Sequence, residues 1–550
     1  MAPFKTHLTV LADSARRYPS LPAFRTPVID NEAGSVQKWN VITYSQFQHD
    51  VELYARHWTR TLTATGLPRR SVVGLWLGGL TYADLALIYG IARAGYIPQL
   101  FSLKLPNPAV IYELLAKSRA RTLIYDAAYA PSLTGCPVPT HAVADISADA
   151  QNVPLPSLTE LSAVKASDTV MIFHTSGSTS GSPKLIPCSY SWLETIIAKA
   201  GQVSAPIRTA GQDVTVWMGS VCHIGQTFML LGSLQHGACT IQPTQIAFSP
   251  AELLDMCTRC RLNRLNQFPA FLHVHLAASR TDAAVLAALR GLDEILYSGQ
   301  PLPSADEEWM YAHDMQVTNL FGSTECGAML LSRRGGARPC PPLRPMDGVK
   351  YAFLPVADGP SAGGAPARAD ASGYQNAHAP SAFRELVILA DSGDCPDASL
   401  RAPDGHYHTG DLFVEVAPGA WVGRGRNDDW IKSASALRCD TRAIEENVRA
   451  TCGALVSECV VVGSGRPSPA LFVEAREGGG QVDAEKLKKE IIRRTRHFHA
   501  RRYLHERITS TKVVVVVPAG TLPRTATKGN IRRKAVEDMF SSELDRMFAA

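Results

Sequence analysis

The 550-residue chain is 45% apolar and 19% charged, the balance of a globular protein, and it is too long for one ordinary domain. A net charge of +5 over this length gives no reason to invoke nucleic acid and no basic domain stands out, and no run of about 18 apolar residues offers a membrane span. The N-terminal MAPFKTHLTVLADSARRYPS lacks a secretory signal's apolar core and cleavage site, and the 12 cysteines are scattered, so a cytoplasmic chain with free thiols is expected.

In chain order, TYSQFQHDVELYARHWTRTL carries apolar residues at helical spacing. SVVGLWLG reads as a buried strand, and TYADLALIYGIARAGYIPQLF as a helix that stops at Gly95 and runs into a strand. After the glycine-rich FHTSGSTSGSPKL the alternation resumes: SYSWLETIIAKAG helix, DVTVWMGS strand, TFMLLGSLQHGA helix, CTIQP strand. Strand and helix in alternation predict parallel sheets covered by helices. The pair Cys257 and Cys260 in MCTRC has no second pair at zinc spacing and reads as free thiols on a helix.

Residues 357–380 are rich in glycine, alanine and proline, with almost no bulky apolar side chain, and predict a surface loop. Strand-like FRELVIL follows at once. A domain boundary is expected at GRGRNDDW, dividing the chain into 1–424 and 428–550. The second part reads as strands SECVVVGS and PALFVEA, helix DAEKLKKEIIRRTRHF, strand KVVVVV and a last helix from Ile531.

The loop FHTSGSTSGSPKL poses the functional question. Gly177 and Gly181 permit close backbone approach to an anion, Thr175, Ser176, Ser178 and Thr179 add hydroxyl donors, and Lys184 adds charge. The spacing does not fit G-x-x-x-x-G-K-S/T, because Lys184 does not follow a glycine and Leu185 follows the lysine. Alone, the stretch is a phosphate cradle or a serine-rich turn.

TSGSTSGSPK resembles the signature T-S-G-S/T-S/T-G-x-P-K of the adenylate-forming superfamily, which comprises acyl- and aryl-CoA synthetases, luciferases and adenylation domains of non-ribosomal peptide synthetases. FGSTE (321–325), YHTGD (407–411), GRNDDWIK (425–432), PRTATKGNIRRKA (523–535) and GYIPQL (95–100) resemble further motifs of that family, and together they span nearly the whole chain. The resemblance implies a large N-terminal domain of layered α/β sheets with a small barrel-like part, and a small mobile α+β C-terminal domain. It implies ATP-dependent activation of a carboxylic acid to an acyl-adenylate, release of pyrophosphate, and transfer to a thiol of CoA or of a phosphopantetheine carrier protein acting in trans.

The same resemblance assigns roles by position. Lys528 would bridge carboxylate and α-phosphate, although the order in ATKGN is lysine then glycine, the reverse of the usual one. Glu325 would hold Mg²⁺, and Thr324 would bond the α-phosphate. Phe321 would stack on adenine beside Asn319, Leu320 and Gly322, with Ser298 and Gly299 lining the base pocket. Asp411 would accept from the ribose hydroxyls, Arg426 would add a ribose or phosphate contact, and Lys432 would lie near the bridging oxygens. The loop from Thr175 to Lys184 would grip the β- and γ-phosphates, and Asp428 would be the hinge of the small domain. Ser435 stands where a glycine is usual, in a loop that meets the thiol's pantetheine arm.

WMGSVCHIGQT (217–227) marks the acid-binding edge. Amino-acid adenylation domains place an aspartate here to pair with the substrate ammonium. Aligned on F-D-x-S, Met218 takes that place; aligned on the gate histidine of CoA synthetases, His223 is the gate and Ile224 takes it. A buried ammonium without a carboxylate is costly, so an acid without an α-amino group is expected: aryl, keto or alkyl. The alternatives are a non-catalytic nucleotide-binding module, or an adenylation module working with separate reductase or carrier partners in secondary metabolism.

Overall fold

A computed structural model of the protein describes residues 4–30, 32, 34–101, 108–143, 146, 153–161, 164–175, 184–333, 341–356, 383–427, 430–432, 438–476, 483–500, 502, 504–524 and 531–548. Ser176, Gly177, Ser178, Thr179, Gly181, Asp428, Ser435, Lys528 and the 357–380 segment lie outside the described residues, as does the side chain of Lys432.

Two large sheets dominate. One has six strands in the order Thr140–Ala142, Thr122–Tyr125, Val72–Trp76, Ile97–Phe101, Thr169–Thr175 and Lys184–Ser189, with only the last pairing antiparallel. The other has 13 strands. Its parallel heart runs Cys239–Ile241, Val214–Val216, Arg264–Gln267, Glu294–Ser298 and Val317–Ser323. The run then turns antiparallel through Gly327–Ser332, Leu343–Pro345, Ala420–Arg426, Tyr407–Ala417, Arg384–Ile388 and Tyr351–Pro355. The part expected to be barrel-like is this antiparallel extension. It joins the large sheet because Leu320 pairs with Leu331, and it covers its own core of Met329, Leu330, Leu386, Ile388 and Phe413.

The expected helices form where the periodicity places them. Tyr44–Ala64 starts on Thr43, whose side chain accepts the Gln46 N–H, and buries Tyr44, Phe47, Val51, Ala55, Trp58 and Leu62 along one stripe. Tyr82–Arg93 opens on a Thr81/Asp84 capping box and gives way at Gly95, whose φ of +91° ends it. With the helices Tyr190–Val203 and Ile224–Gln235 these pack into one core that holds the inner faces of both sheets: Val73, Leu75 and Phe173 from one, Phe24, Leu296 and Leu320 from the other. A second core covers the outer face of the large sheet and a third the outer face of the small one. The N-terminal part is therefore helix and sheet in alternating layers.

MCTRC departs from the expected helix. Met256–Cys260 is a single π turn ended by Arg261 in the left-handed region, with Cys257 half-buried and Cys260 buried, both free.

From Trp430 on, the chain builds a separate three-stranded sheet, Val456–Val462, Ala470–Ala475 and Val514–Val517. Alternation sorts its side chains: Cys459, Val461, Leu471 and Val473 face the helices Thr441–Cys452 and Ala484–Ala500. Val460, Val462 and Phe472 face the helices Arg533–Met539 and Ser541–Phe548. Each such fully buried side chain contributes about 1.5–3 kcal/mol. The last helical stretch begins two residues later than expected, because Ile531 forms a β-bridge with Arg524.

Several buried histidines face apolar surroundings. The His7 ring meets Tyr89 edge-on at 4.8 Å, has no hydrogen-bond partner on either nitrogen among the described residues, and burial pushes its pKa from 6.5 down to about 4. A depressed folded-state pKa means stability that is complete above the unfolded value and is lost as pH falls through the folded one. We expect unfolding midpoints to decline between pH 6.5 and about 4, and His7→Phe to flatten that slope in urea titrations at each pH. An identical slope in the variant refutes the assignment.

Candidate active site

The parallel strands of the large sheet end along one edge, the usual place for a ligand crevice in an open α/β sheet. Val214–Val216 leads into Met218 and His223, and Arg264–Gln267 into Phe268. Glu294–Ser298 leads into Gly299, and Val317–Ser323 carries Asn319, Leu320, Phe321 and Gly322 and leads into Thr324 and Glu325. The sheet thus gathers along one edge residues that are up to about a hundred positions apart in sequence.

Phe268 is the packing centre of this edge, and the sequence reading missed it. A Cβ on Gly219 would stand 3.2 Å from its ring, one on Gly225 3.9 Å, and one on Gly299 3.1 Å. The His223 ring meets it edge-on at 6.4 Å. Gly299 also needs its φ of +91°. A strand followed by Phe-Pro is the only local signal, and nothing in sequence ties it to three distant glycines.

His223 caps the helix Ile224–Gln235: its Nδ1 accepts the Gly225 N–H at 3.1 Å, so in the neutral ring the proton sits on Nε2. Met218 and Ile224 are 1% and 4% exposed and belong to the core between the sheets. The Met218 N–H donates to Gln226 Oε1 at 2.8 Å.

Alternation divides the expected adenine-side residues. Leu320 points into the inter-sheet core, whereas Phe321 packs on the opposite side, edge-on to Phe413 at 5.1 Å. Asn319 shares the Phe321 face by register, and its N–H donates to Ser332 Oγ at 2.8 Å. Gly322 has no room for a side chain, since a Cβ would stand 2.5 Å from the Gly327 carbonyl oxygen.

Thr324, Glu325 and Cys326 form the tight turn between Val317–Ser323 and Gly327–Ser332. Across from it, Asp411 pairs in register with Arg426, and the two side chains approach to 3.7 Å. Tyr407 joins these groups electrostatically. Burial raises its pKa first, the Glu325 charge raises it further, and Asp411 adds to that while Arg426 works against it. Glu325, Asp411 and Arg426 therefore all act electrostatically on one phenol.

Thr175 and Lys184 face each other as the last pair of two antiparallel strands. Lys432 pairs with Arg438 in a two-stranded ladder at the start of the small unit. The ends of the Lys528 segment are pinned, as Arg524 bridges to Ile531 and Arg532 N–H donates to Pro523 O at 2.8 Å.

Residues 11–352 match the family model described as AMP-binding enzyme, and 428–550 the one described as AMP-binding enzyme C-terminal domain. The chain belongs to the AMP-binding enzyme family. This adenylate-forming family accounts for the layered α/β architecture and the smaller C-terminal unit. Among relatives, the chain is 34% identical to the AMP-binding domain-containing enzyme iboA of Amanita muscaria (strain Koide BX008), over 94% of this chain and 98% of that one. It is 24% identical to the adenylate-forming reductase Nps11 of Serpula lacrymans var. lacrymans (strain S7.9), over 85% of this chain, and spans 43% of that protein. The fold is similar to that of the anthranilate CoA ligase AuaEII in complex with anthranoyl-AMP, with a TM-score of 0.68 at 18% identity over 98% of both chains. It is also similar to o-succinylbenzoate CoA synthetase from Bacillus subtilis in complex with AMP, with a TM-score of 0.69 at 14% identity over 97% of this chain and 98% of that one. Among the described residues no helix is long and apolar enough to cross a membrane, and no three metal-ligating side chains cluster.

Proposed function

We propose that this AMP-binding enzyme converts a carboxylic acid without an α-amino group into an acyl-adenylate and then passes the acyl group to a thiol. In the first step a carboxylate oxygen forms a bond to the α-phosphorus of ATP and pyrophosphate leaves. In the second a thiol attacks the acyl carbon and AMP leaves.

The observation that carries the choice of acid is the apolar character of the acid-binding edge. Met218 and Ile224 occupy both alignments of the ammonium partner, and both are buried in the inter-sheet core. A substrate ammonium placed there would have no counter-charge from either residue and would cost several kcal/mol to desolvate. His223, fixed as a helix cap, would stand at the gate of that pocket, beside Phe268.

The other roles follow from placement. Asp411, held beside Arg426, would accept from the ribose hydroxyls, and Phe321 would offer its ring to adenine, with Asn319 on the same face. Ser298 and Gly299 would approach the base through backbone, which the missing side chain at Gly299 allows. Thr324 would donate to the α-phosphate. The glycine-rich segment between Thr175 and Lys184 would hold the departing pyrophosphate. Glu325 supplies one hard carboxylate, which suits Mg²⁺, an ion that takes one or two carboxylates together with phosphate oxygens. Mg²⁺ when bound would neutralise the triphosphate. Lys432 and Lys528, from the small unit, would bring charge to the reacting oxygens, with the hinge at Asp428 dividing 1–424 from 428–550. The acceptor is CoA or a carrier protein in trans.

The test is ATP–pyrophosphate exchange with a panel of aryl, keto, alkyl and amino acids. Exchange should appear with acids that lack the amino group, and a dominant response to an α-amino acid refutes the proposal.

A further inference from the structure

The turn that carries Thr324 and Glu325 is held from beneath by a single helix, Tyr190–Val203. Trp192 donates its indole N–H to the Glu325 carbonyl at 2.9 Å. Lys199 donates to the Cys326 carbonyl at 2.6 Å. Between them, Ile196 stands so close to Gly327 that a Cβ there would lie 2.7 Å from Ile196 Cδ1. Positions 192, 196 and 199 form one helical stripe. That stripe therefore meets the consecutive residues 325, 326 and 327.

Lys199 is an unusual choice for the task. It is fully buried, as is its partner Asp394 at 2.7 Å. Asp394 also accepts from Ser392 Oγ at 2.5 Å and from the Tyr351 hydroxyl. Burial disfavours the ammonium, and Asp394 offsets part of that effect. A buried ion pair adds little net stability over a well-packed apolar pair. What an ammonium provides that a methionine does not is a directed N–H to a backbone carbonyl. With the carbonyls of Glu325 and Cys326 both held, the two peptide planes after Glu325 are fixed, and with them the direction in which its carboxylate leaves the chain.

The same helix begins immediately after the hairpin that bears Thr175 and Lys184, capped by Ser189 at the end of the second hairpin strand. One rigid element therefore carries the base of the glycine-rich loop at its start and grips the Glu325 turn along its side.

We propose that Trp192 and Lys199 are positioning residues for acid activation, acting through the carbonyls of Glu325 and Cys326 to present the Glu325 carboxylate to Mg²⁺ and the triphosphate; this rests on the reading of Glu325 given above. Asp394 pairs with Lys199 and favours its charged form. Their removal would loosen the carboxylate's aim without touching the acid pocket.

The test compares Trp192→Phe, Lys199→Met, Lys199→Met/Asp394→Asn and Glu325→Gln. Two quantities are measured on each full-length protein: the Mg²⁺ concentration for half-maximal pyrophosphate exchange, and the calorimetric affinity for ATP with and without Mg²⁺. Loss of a group that orients a metal ligand typically weakens metal binding or activity about 10–100-fold. Trp192→Phe and the Lys199 variants should raise the half-saturating Mg²⁺ by that order and erode the Mg²⁺-dependent gain in ATP affinity. The KM for the acid should stay within about twofold of wild type, which a general loosening of the fold would not preserve. If Lys199→Met does not fold, Trp192→Phe, which removes the indole N–H and leaves a smaller aromatic ring, decides alone. Wild-type Mg²⁺ dependence in the folded variants, with Glu325→Gln impaired, overturns the positioning role. Wild-type Mg²⁺ dependence in Glu325→Gln overturns the reading of Glu325 itself, and the positioning role with it.

Discussion

Replacing Lys528 by alanine should slow acyl-adenylate formation by about 10²–10³, the usual consequence of removing one donor aimed at transition-state charge. Two anions must meet for a carboxylate to attack a triphosphate, and the pentavalent phosphorus carries more charge on its oxygens than either reactant. A cation that reaches those oxygens acts on kcat more than on the KM for ATP. Neighbouring arginines are poorly placed to substitute. Arg524 approaches Glu474 to 2.5 Å and Arg533 approaches Glu445 to 2.6 Å, so both are committed to the scaffold of the small unit. Thiol transfer from adenylate supplied ready-made should change by no more than about threefold in the variant, because that half-reaction needs no bridge between carboxylate and phosphate. Pyrophosphate exchange at saturating ATP reads the first effect and thioester mass the second. An unchanged exchange rate removes Lys528 from the mechanism.

Arg264→Met should destabilise the N-terminal layers by about 3–5 kcal/mol, the cost of leaving buried charges without a partner. Arg264 is 2% exposed and lies on a central strand. It donates to Glu294 Oε2 from Nε at 3.0 Å and from a terminal nitrogen at 2.6 Å, and to Asp213 at 3.2 Å. It also donates to the carbonyls of Val203, Ser204 and Ala205 at 2.9, 3.1 and 3.2 Å. Those carbonyls close the helix Tyr190–Val203, so the guanidinium caps its negative end as well as joining two carboxylates. Methionine fills much of the volume and replaces none of the bonds. Lysine should recover only part of the loss, since one ammonium cannot span the fork of donors used here. Urea unfolding of the three proteins checks this, and a loss below about 1 kcal/mol in Arg264→Met would show the network to be dispensable.

Much of the fold was legible locally. Apolar stripes at helical spacing placed Tyr44–Ala64, Tyr82–Arg93, Tyr190–Val203 and Ala484–Ala500, since burial of one face needs that period whatever lies opposite. Gly95 marked a stop because few other residues accept its φ. The Ile531 start was misplaced because a lone bridge to Arg524 takes up the first residue, and bridges depend on a strand's neighbour rather than on its own sequence. MCTRC has the spacing of a helix in sequence because a π turn has nearly the same apolar spacing.

The sequence by itself determined the residue types of the site and their order: a hydroxyl-rich glycine loop, an acid after aromatic-Gly-Ser-Thr, an aspartate after Thr-Gly, and a late lysine. These are local because each must present particular atoms on a short turn. Only the tertiary structure decided what holds them. Phe268 gathers Gly219 and Gly299, which follow two different strands, and Gly225 at a helix start, and Trp192, Ile196 and Lys199 meet the Glu325 turn more than 120 residues away in sequence. It also set Leu320 and Phe321 on opposite faces of one strand, so that only Phe321 is placed toward the Phe413 side. Such relations have no sequence period: hydrogen bonds and ring contacts act over a few ångströms of space, and the chain brings those groups together only when both sheets have closed over their shared helices.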